Sequence, residues 1–161
     1  MGDFILEMRS ITKEFPGVKA LDQVGFQVRR GEIHCLVGEN GAGKSTLMKV
    51  LSGVYPYGTF DGEIVLNGQV QQFRHVSDSE KQGIAVIYQA LALFPELTVN
   101  DNIFMAPEIK NGRVIDWNET KVRAKEILER VGLDIDPATK IKELGIGQRQ
   151  LVEIAKALSK D

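Results

Sequence analysis

Cysteine, histidine and long apolar runs are the scarce features of this sequence. There is one cysteine, Cys35, so no disulfide can close within the chain. It lies in the apolar run Ile33-His34-Cys35-Leu36-Val37, where a buried structural thiol is expected. Two histidines, His34 and His75, stand far apart without partnering cysteines, which argues against a metal-ligand cluster. No apolar run reaches the length of a membrane-spanning helix, and Met1–Arg9 does not read as a signal peptide. Charge of either sign is not in excess. Lys and Arg number 20 and Asp and Glu 22, for a net −2, and the basic residues form no long run. No global field therefore favours nucleic acid or an anionic membrane, and no nucleic-acid partner is expected.

What remains is ordinary for a globular domain: 161 residues, 43% hydrophobic and 26% charged. Phe4–Arg9 and Val24–Arg29 read as strands, and Ile33–Val37 as a buried strand by its apolar run. Lys44–Leu51 carries Leu47, Val50 and Leu51 on one helical face, with Gly53 as the stop. Gly62–Gly68 is a strand ending in an Asn-Gly turn, a strong hairpin signal. Val76–Gln82 suits a short surface helix, and Ile84–Tyr88 a second buried strand. Thr98 is placed to cap a helix that opens at Val99. Two amphipathic helices follow. In Glu119–Val131 the apolar face holds Val122, Ile127, Leu128 and Val131; in Gln148–Leu158 it holds Leu151, Ile154, Ala155 and Leu158. The first half is thus strand-rich and the second helical.

The segment Gly38-Glu39-Asn40-Gly41-Ala42-Gly43-Lys44-Ser45 matches the phosphate-loop pattern G-x-x-x-x-G-K-[ST] in full. Glycines let the loop curl so that successive N–H groups point inward at phosphate oxygens. The next helix presents its positive end to the same anion. Lys44 adds a full charge near the β- and γ-phosphates, and Ser45 offers a hydroxyl to Mg²⁺, a hard cation that prefers oxygen. An apolar run precedes the loop and an apolar-faced helix follows it, as the motif demands. A nucleotide with Mg²⁺ is the expected ligand, and the loop alone does not choose between an ATPase, a GTPase and a kinase. A GTPase is disfavoured: the only Asp-x-x-Gly, Asp22–Gly25, precedes the loop, and no Asn-Lys-x-Asp occurs.

Three segments in order carry a family resemblance: Gly38–Thr46, then Val86-Ile87-Tyr88-Gln89 with Leu93–Val99, then Leu144-Gly145-Ile146-Gly147-Gln148-Arg149-Gln150. They resemble the Walker A, Q-loop and signature motifs of the ATP-binding cassette (ABC) ATPases. The wording of Gly38–Tyr55 and of Leu151–Leu158 is nearest to importers of pentoses and related sugars. The resemblance implies an α/β fold of the P-loop NTPase kind: a RecA-like core sheet with an antiparallel β subdomain and a helical subdomain. About 1–96 would hold the β subdomain and P-loop core, and about 97–161 the helical subdomain through the signature helix.

It also implies roles. Gly38, Glu39, Asn40, Gly41, Ala42, Gly43, Lys44, Ser45 and Thr46 would hold the phosphates, with Thr46 adding a hydroxyl at the α-phosphate. Phe15 would stack on adenine, offering a flat ring without reading base edges. Gln89 would stand near Mg²⁺ and the attacking water, so Lys44 and Gln89 are the implied catalytic residues and Ser45 and Gln89 the implied metal ligands. Gly145, Gly147 and Gln148 would meet the γ-phosphate of ATP held by a second cassette domain. The usual pattern has Ser where Gly145 stands, so one side-chain donor is missing there and backbone donors remain.

The implied function is ATP hydrolysis coupled to carbohydrate import at the cytoplasmic face of a bacterial inner membrane. The implied partners are transmembrane permease subunits and, indirectly, a periplasmic sugar-binding protein. No Walker B segment, four apolar residues then Asp and Glu, occurs in the sequence. The expectation is therefore a partial cassette, truncated before Walker B and not competent for hydrolysis alone. A cassette ATPase of repair or translation is the alternative; Leu93–Val99 and the importer-like wording favour transport.

Overall fold

A computed structural model describes residues 3–87, 92–105, 110–111, 114–115 and 117–159. The chain divides into two units, Met1–Ile84 and Ala85–Asp161. Among the described residues, no helix is long and apolar enough to cross a membrane.

The first unit is built on a long hairpin. Strand β1 runs Phe4–Phe15 and pairs antiparallel with β2, Val18–Arg29. Both strands extend well past the alternating segments legible in the sequence. The reason is a register shift. In β1 the inward residues are Leu6 and Met8, then Ile11 and Lys13. The parity changes at Ser10, which takes φ 50°, and pairing with β2 slips between Met8 and Ile11. A bulge adds one residue and so keeps the later apolar side chains on the core face.

Helix α1, Lys44–Leu51, buries the predicted Leu47, Val50 and Leu51. β3, Asp61–Leu66, pairs with β1, and β4, Gln69–Gln71, pairs with β3, so the sheet order is β2-β1-β3-β4. The Asn67-Gly68 turn joins β3 to β4 with φ 52° and 77°, the two positive angles that a twisted two-residue hairpin loop requires. Helix α2, Val76–Lys81, follows. Met8, Ile11, Val50 and Ile64 sit at the centre of this unit's core, each at most 1% exposed.

Two expected strands are not strands. Residues 33–37 and 84–87 have no ladder partner among the described residues. Ile33 is 95% exposed, Val37 87% and Ile87 48%. Cys35 is exposed, not buried. An apolar run of this kind becomes a central strand only when neighbours satisfy its N–H and C=O groups on both sides. The sheet described here is antiparallel, in the order β2-β1-β3-β4, and includes neither run.

The second unit is helical. α3, Val99–Phe104, is capped by Thr98, whose hydroxyl accepts the Asp101 N–H at 3.1 Å while the Asp101 carboxylate accepts the Thr98 N–H at 3.2 Å. A short ribbon pairs β5, Lys110–Asn111, with β6, Val114–Ile115. α4, Trp117–Arg130, and α5, Ile146–Leu158, complete the unit, with a 3₁₀ turn at Ile141–Glu143 between them. The apolar faces differ from expectation by part of a turn. In α4 the buried row is Thr120, Ala124 and Leu128, and Val122 is 58% exposed. In α5, Val152 and Ala155 are fully buried and Ile154 is exposed.

Candidate functional site

The phosphate-loop residues lie at the mouth of α1. Gly43 is the N-cap at φ 86°, and a Cβ there would stand 2.6 Å from the Ala20 carbonyl oxygen and 2.8 Å from Leu21 Cδ2. Only glycine allows the loop to lie this close to the start of β2. A turn from the Ala42 N–H to the Glu39 carbonyl, 3.2 Å, closes the loop.

The Lys44 ammonium folds back over that turn, donating to the Gly38 carbonyl at 2.6 Å and the Glu39 carbonyl at 2.7 Å. The first helical bond is Leu47 N–H to the Gly43 carbonyl at 2.9 Å. The N–H groups of Lys44, Ser45 and Thr46 precede it and so have no acceptor within the helix. No side chain caps this end, and its first turn carries no acidic residue. Free donors, the positive helix end and an adjacent ammonium converge on one exposed spot. That donor set fits a polyphosphate. Ser45 is exposed beside it and Thr46 half-buried.

Phe15 ends β1, half-buried, with its ring edge-on to Tyr55 at 5.4 Å. Tyr55 belongs to the segment leaving α1, and its N–H donates to the Lys49 carbonyl at 3.1 Å. The ring proposed for the base is therefore linked through Tyr55 to the helix that begins at the phosphate loop.

Gly145, Gly147 and Gln148 belong to the second unit, where Gly145 is the N-cap of α5. The Gln148 side chain reaches back, its Oε1 accepting the Gly145 N–H at 3.0 Å. This is one half of a capping box. The other half, a hydroxyl from the cap residue to the third helical N–H, has no atom to make it because residue 145 is glycine. Arg149 braces the approach, donating to the Leu144 carbonyl at 2.9 Å and the Lys142 carbonyl at 3.1 Å. Gln89 lies outside the described residues.

Three residues that organise these segments were not singled out from the sequence. Lys13 is buried beneath Phe15. Asn102, fully buried in α3, holds the Phe94–Thr98 turn. Arg149 ties the signature segment to the 3₁₀ turn. The parity change in β1 hid the first, and no short pattern announces the other two.

Comparison with known proteins identifies the family. The ABC transporter family model matches residues 21–161. A xylose import ATP-binding protein of Moorella thermoacetica is 63% identical over the whole chain, which covers 32% of that relative. An L-arabinose transport ATP-binding protein of Geobacillus stearothermophilus is 61% identical, with 31% of its length covered. This chain thus spans about a third of the curated relatives it matches. Among solved structures, an ATP-binding cassette of an ABC transporter in its ADP conformation superposes with a TM-score of 0.82 at 30% identity, over 98% of this chain and 65% of that one. A component of an ABC transporter complex of Clostridium perfringens, 22% identical and covered over 62% of its length against 99% of this chain, shares the fold at a TM-score of 0.81. Motif order, loop geometry and a match over most of the sequence lead to one assignment: the chain belongs to the ABC transporter family.

Proposed function

We propose that this chain is the nucleotide-binding portion of the ATP-hydrolysing subunit of a bacterial sugar importer. The observation that carries the reading is the phosphate loop: a helix end whose first N–H groups have no acceptor within the helix, a Gly43 that tolerates no side chain, and Lys44 poised over the loop. The similarity to xylose and arabinose import proteins supports a pentose or related sugar as the substrate class. The sugar itself is recognised elsewhere, by permease subunits and a periplasmic binding protein.

In this reading the N–H groups from Gly41 to Thr46 grip the phosphates, and Lys44 exchanges the Gly38 and Glu39 carbonyls for phosphate oxygens. The ammonium then neutralises charge that grows on the transferred phosphoryl group. Ser45 and Gln89 would hold Mg²⁺, which would supply positive charge against the phosphate oxygens. Phe15 supports the adenine. Gly145, Gly147 and Gln148 face the nucleotide of a second cassette domain, and for Gly145 to donate its N–H the Gln148 carboxamide must release it. The subunit works at the cytoplasmic face of the inner membrane, docked on the permease.

The test is Lys44→Ala in the assembled transporter, read as ATP turnover and sugar uptake in vesicles. Loss of the charge aimed at the transferring phosphate should reduce both by at least about a hundredfold. Turnover within a few-fold of wild type overturns the reading. Turnover abolished with uptake intact separates hydrolysis from import.

A further inference from the structure

We propose that Lys13 is a positioning residue for the nucleotide base: its buried ammonium fixes the Phe15 ring, and thereby sets affinity for the adenine and not for the phosphates. The inference rests on the reading that Phe15 stacks on the base.

Lys13 and Phe15 are two residues apart on one strand, so their side chains leave the same face. The bulge at Ser10 turns that face inward, and Lys13 is only 8% exposed. Burying an ammonium is costly unless partners replace its water. No carboxylate lies within ion-pair distance among the described residues. The partners are a backbone carbonyl, Thr59, and two aromatic rings. Nζ stands 5.2 Å from the centroid of Phe15 and 5.2 Å from that of Tyr55. An apolar side chain of the same length would fill this space without the desolvation cost, so the charge has to act on something.

The rings are what it can act on. Their negative faces attract the cation, which resists rotation of the Phe15 plane. Tyr55 locks the same ring edge-on at 5.4 Å and is itself bonded to Lys49 of α1. Lys49 lies 6.0 Å from the Tyr55 centroid, a second cation on that ring. A flat ligand stacking on a ring already held in place gives up less entropy than one that must order it. Base platform and phosphate loop are then anchored to the same helix, α1.

The experiment is calorimetric titration of the 161-residue chain with ATP and, separately, with inorganic tripolyphosphate. Wild type is compared with Lys13→Met, Lys13→Gln, Lys13→Arg and Phe15→Ala. Glutamine keeps a donor for the Thr59 carbonyl without the charge; arginine keeps the charge. The Met and Gln variants should bind ATP on the order of tenfold more weakly, bind tripolyphosphate as wild type does, and resemble Phe15→Ala in this split. The Arg variant should stay within about threefold of wild type for both ligands. Wild-type ATP affinity in the Gln variant overturns the proposal, because the bond to Thr59 then suffices. Equal weakening toward both ligands also overturns it, since Lys13 would then act through net charge or folding. Should the Met variant not fold, the Gln and Arg pair decides alone. A wild-type chain that binds neither ligand removes the nucleotide reading itself. A wild type that binds ATP while Phe15→Ala is without effect removes only the stacking role, and this inference with it.

Discussion

Asn102 pairs with both backbone polar groups of Phe94: its Oδ1 accepts the Phe94 N–H at 2.7 Å and its Nδ2 donates to the Phe94 carbonyl at 3.1 Å. The same Nδ2 donates to the Thr98 carbonyl at 2.8 Å. One fully buried carboxamide therefore shapes the segment that follows Gln89. Asn102→Ala should lower the stability of the second unit by about 2–4 kcal/mol, because it strands part-buried backbone groups. Urea denaturation followed by helix signal checks this, and an unchanged midpoint would show that the turn is held by other contacts.

Phe15→Ala should weaken ATP and GTP to a similar degree. A ring face contributes roughly 1–3 kcal/mol per stacked base and reads no base edge. Titration of both nucleotides decides it. A loss confined to ATP would point to edge recognition by another group, and no loss would make the ring packing alone.

The stability of the first unit should depend on pH through Asp78. Its Oδ2 accepts the N–H of Arg74 and of His75, each at 3.0 Å. The Arg74 N–H first, then that of His75, holds the Asp78 carboxyl below the usual carboxylate range. A depressed folded pKa means a contribution fully present above the ordinary aspartate pKa, about 4, and lost as pH falls through the lower folded value. Asp78→Ala should thus be less stable than wild type at pH 7, with the gap narrowing below about pH 4. Thermal melts at both pH values test the sign; a gap that does not change with pH removes the carboxylate from the account.

Copies of the 161-residue chain should associate through residues 33–37. Ile33 and Val37 are 95% and 87% exposed, in a run whose backbone has no ladder partner among the described residues. Such an edge invites pairing. Val37→Lys should raise the monomer fraction in sedimentation velocity, by opposing close approach. An equally aggregated variant, or a wild type that is monomeric at high concentration, counts against this.

Where local chemistry decides, the sequence was legible. Lys44–Leu51, the Asn67-Gly68 hairpin and the Thr98 cap all stand where turn, cap and apolar spacing put them. Each is settled within a few residues of chain. The misreadings need information from farther off. The sequence suggests a first strand over Phe4–Arg9 only, yet a bulge carries β1 past Ser10 to Phe15. The apolar run at Ile33–Val37 has the composition of a buried strand, but composition cannot supply the neighbours that would bury it. Val122 falls within an apolar pattern by eye, while the buried row through Thr120, Ala124 and Leu128 is set by what packs against the helix. At the site, the G-x-x-x-x-G-K-[ST] pattern is local and stands out in the sequence, whereas no pattern marks Lys13, which the bulge turns inward.

The exposure of Cys35 makes it a chemical clock for the segment that leads into the phosphate loop. It is the sole thiol in the sequence, so an alkylating reagent reports on one place without any engineering. In the monomeric chain the exposed thiol should be open to the reagent. Any partner, nucleotide or additional strand that orders residues 33–37 should slow that reaction. The ratio of the two rates reads out how much of the time the lead-in to the loop is in its ordered form.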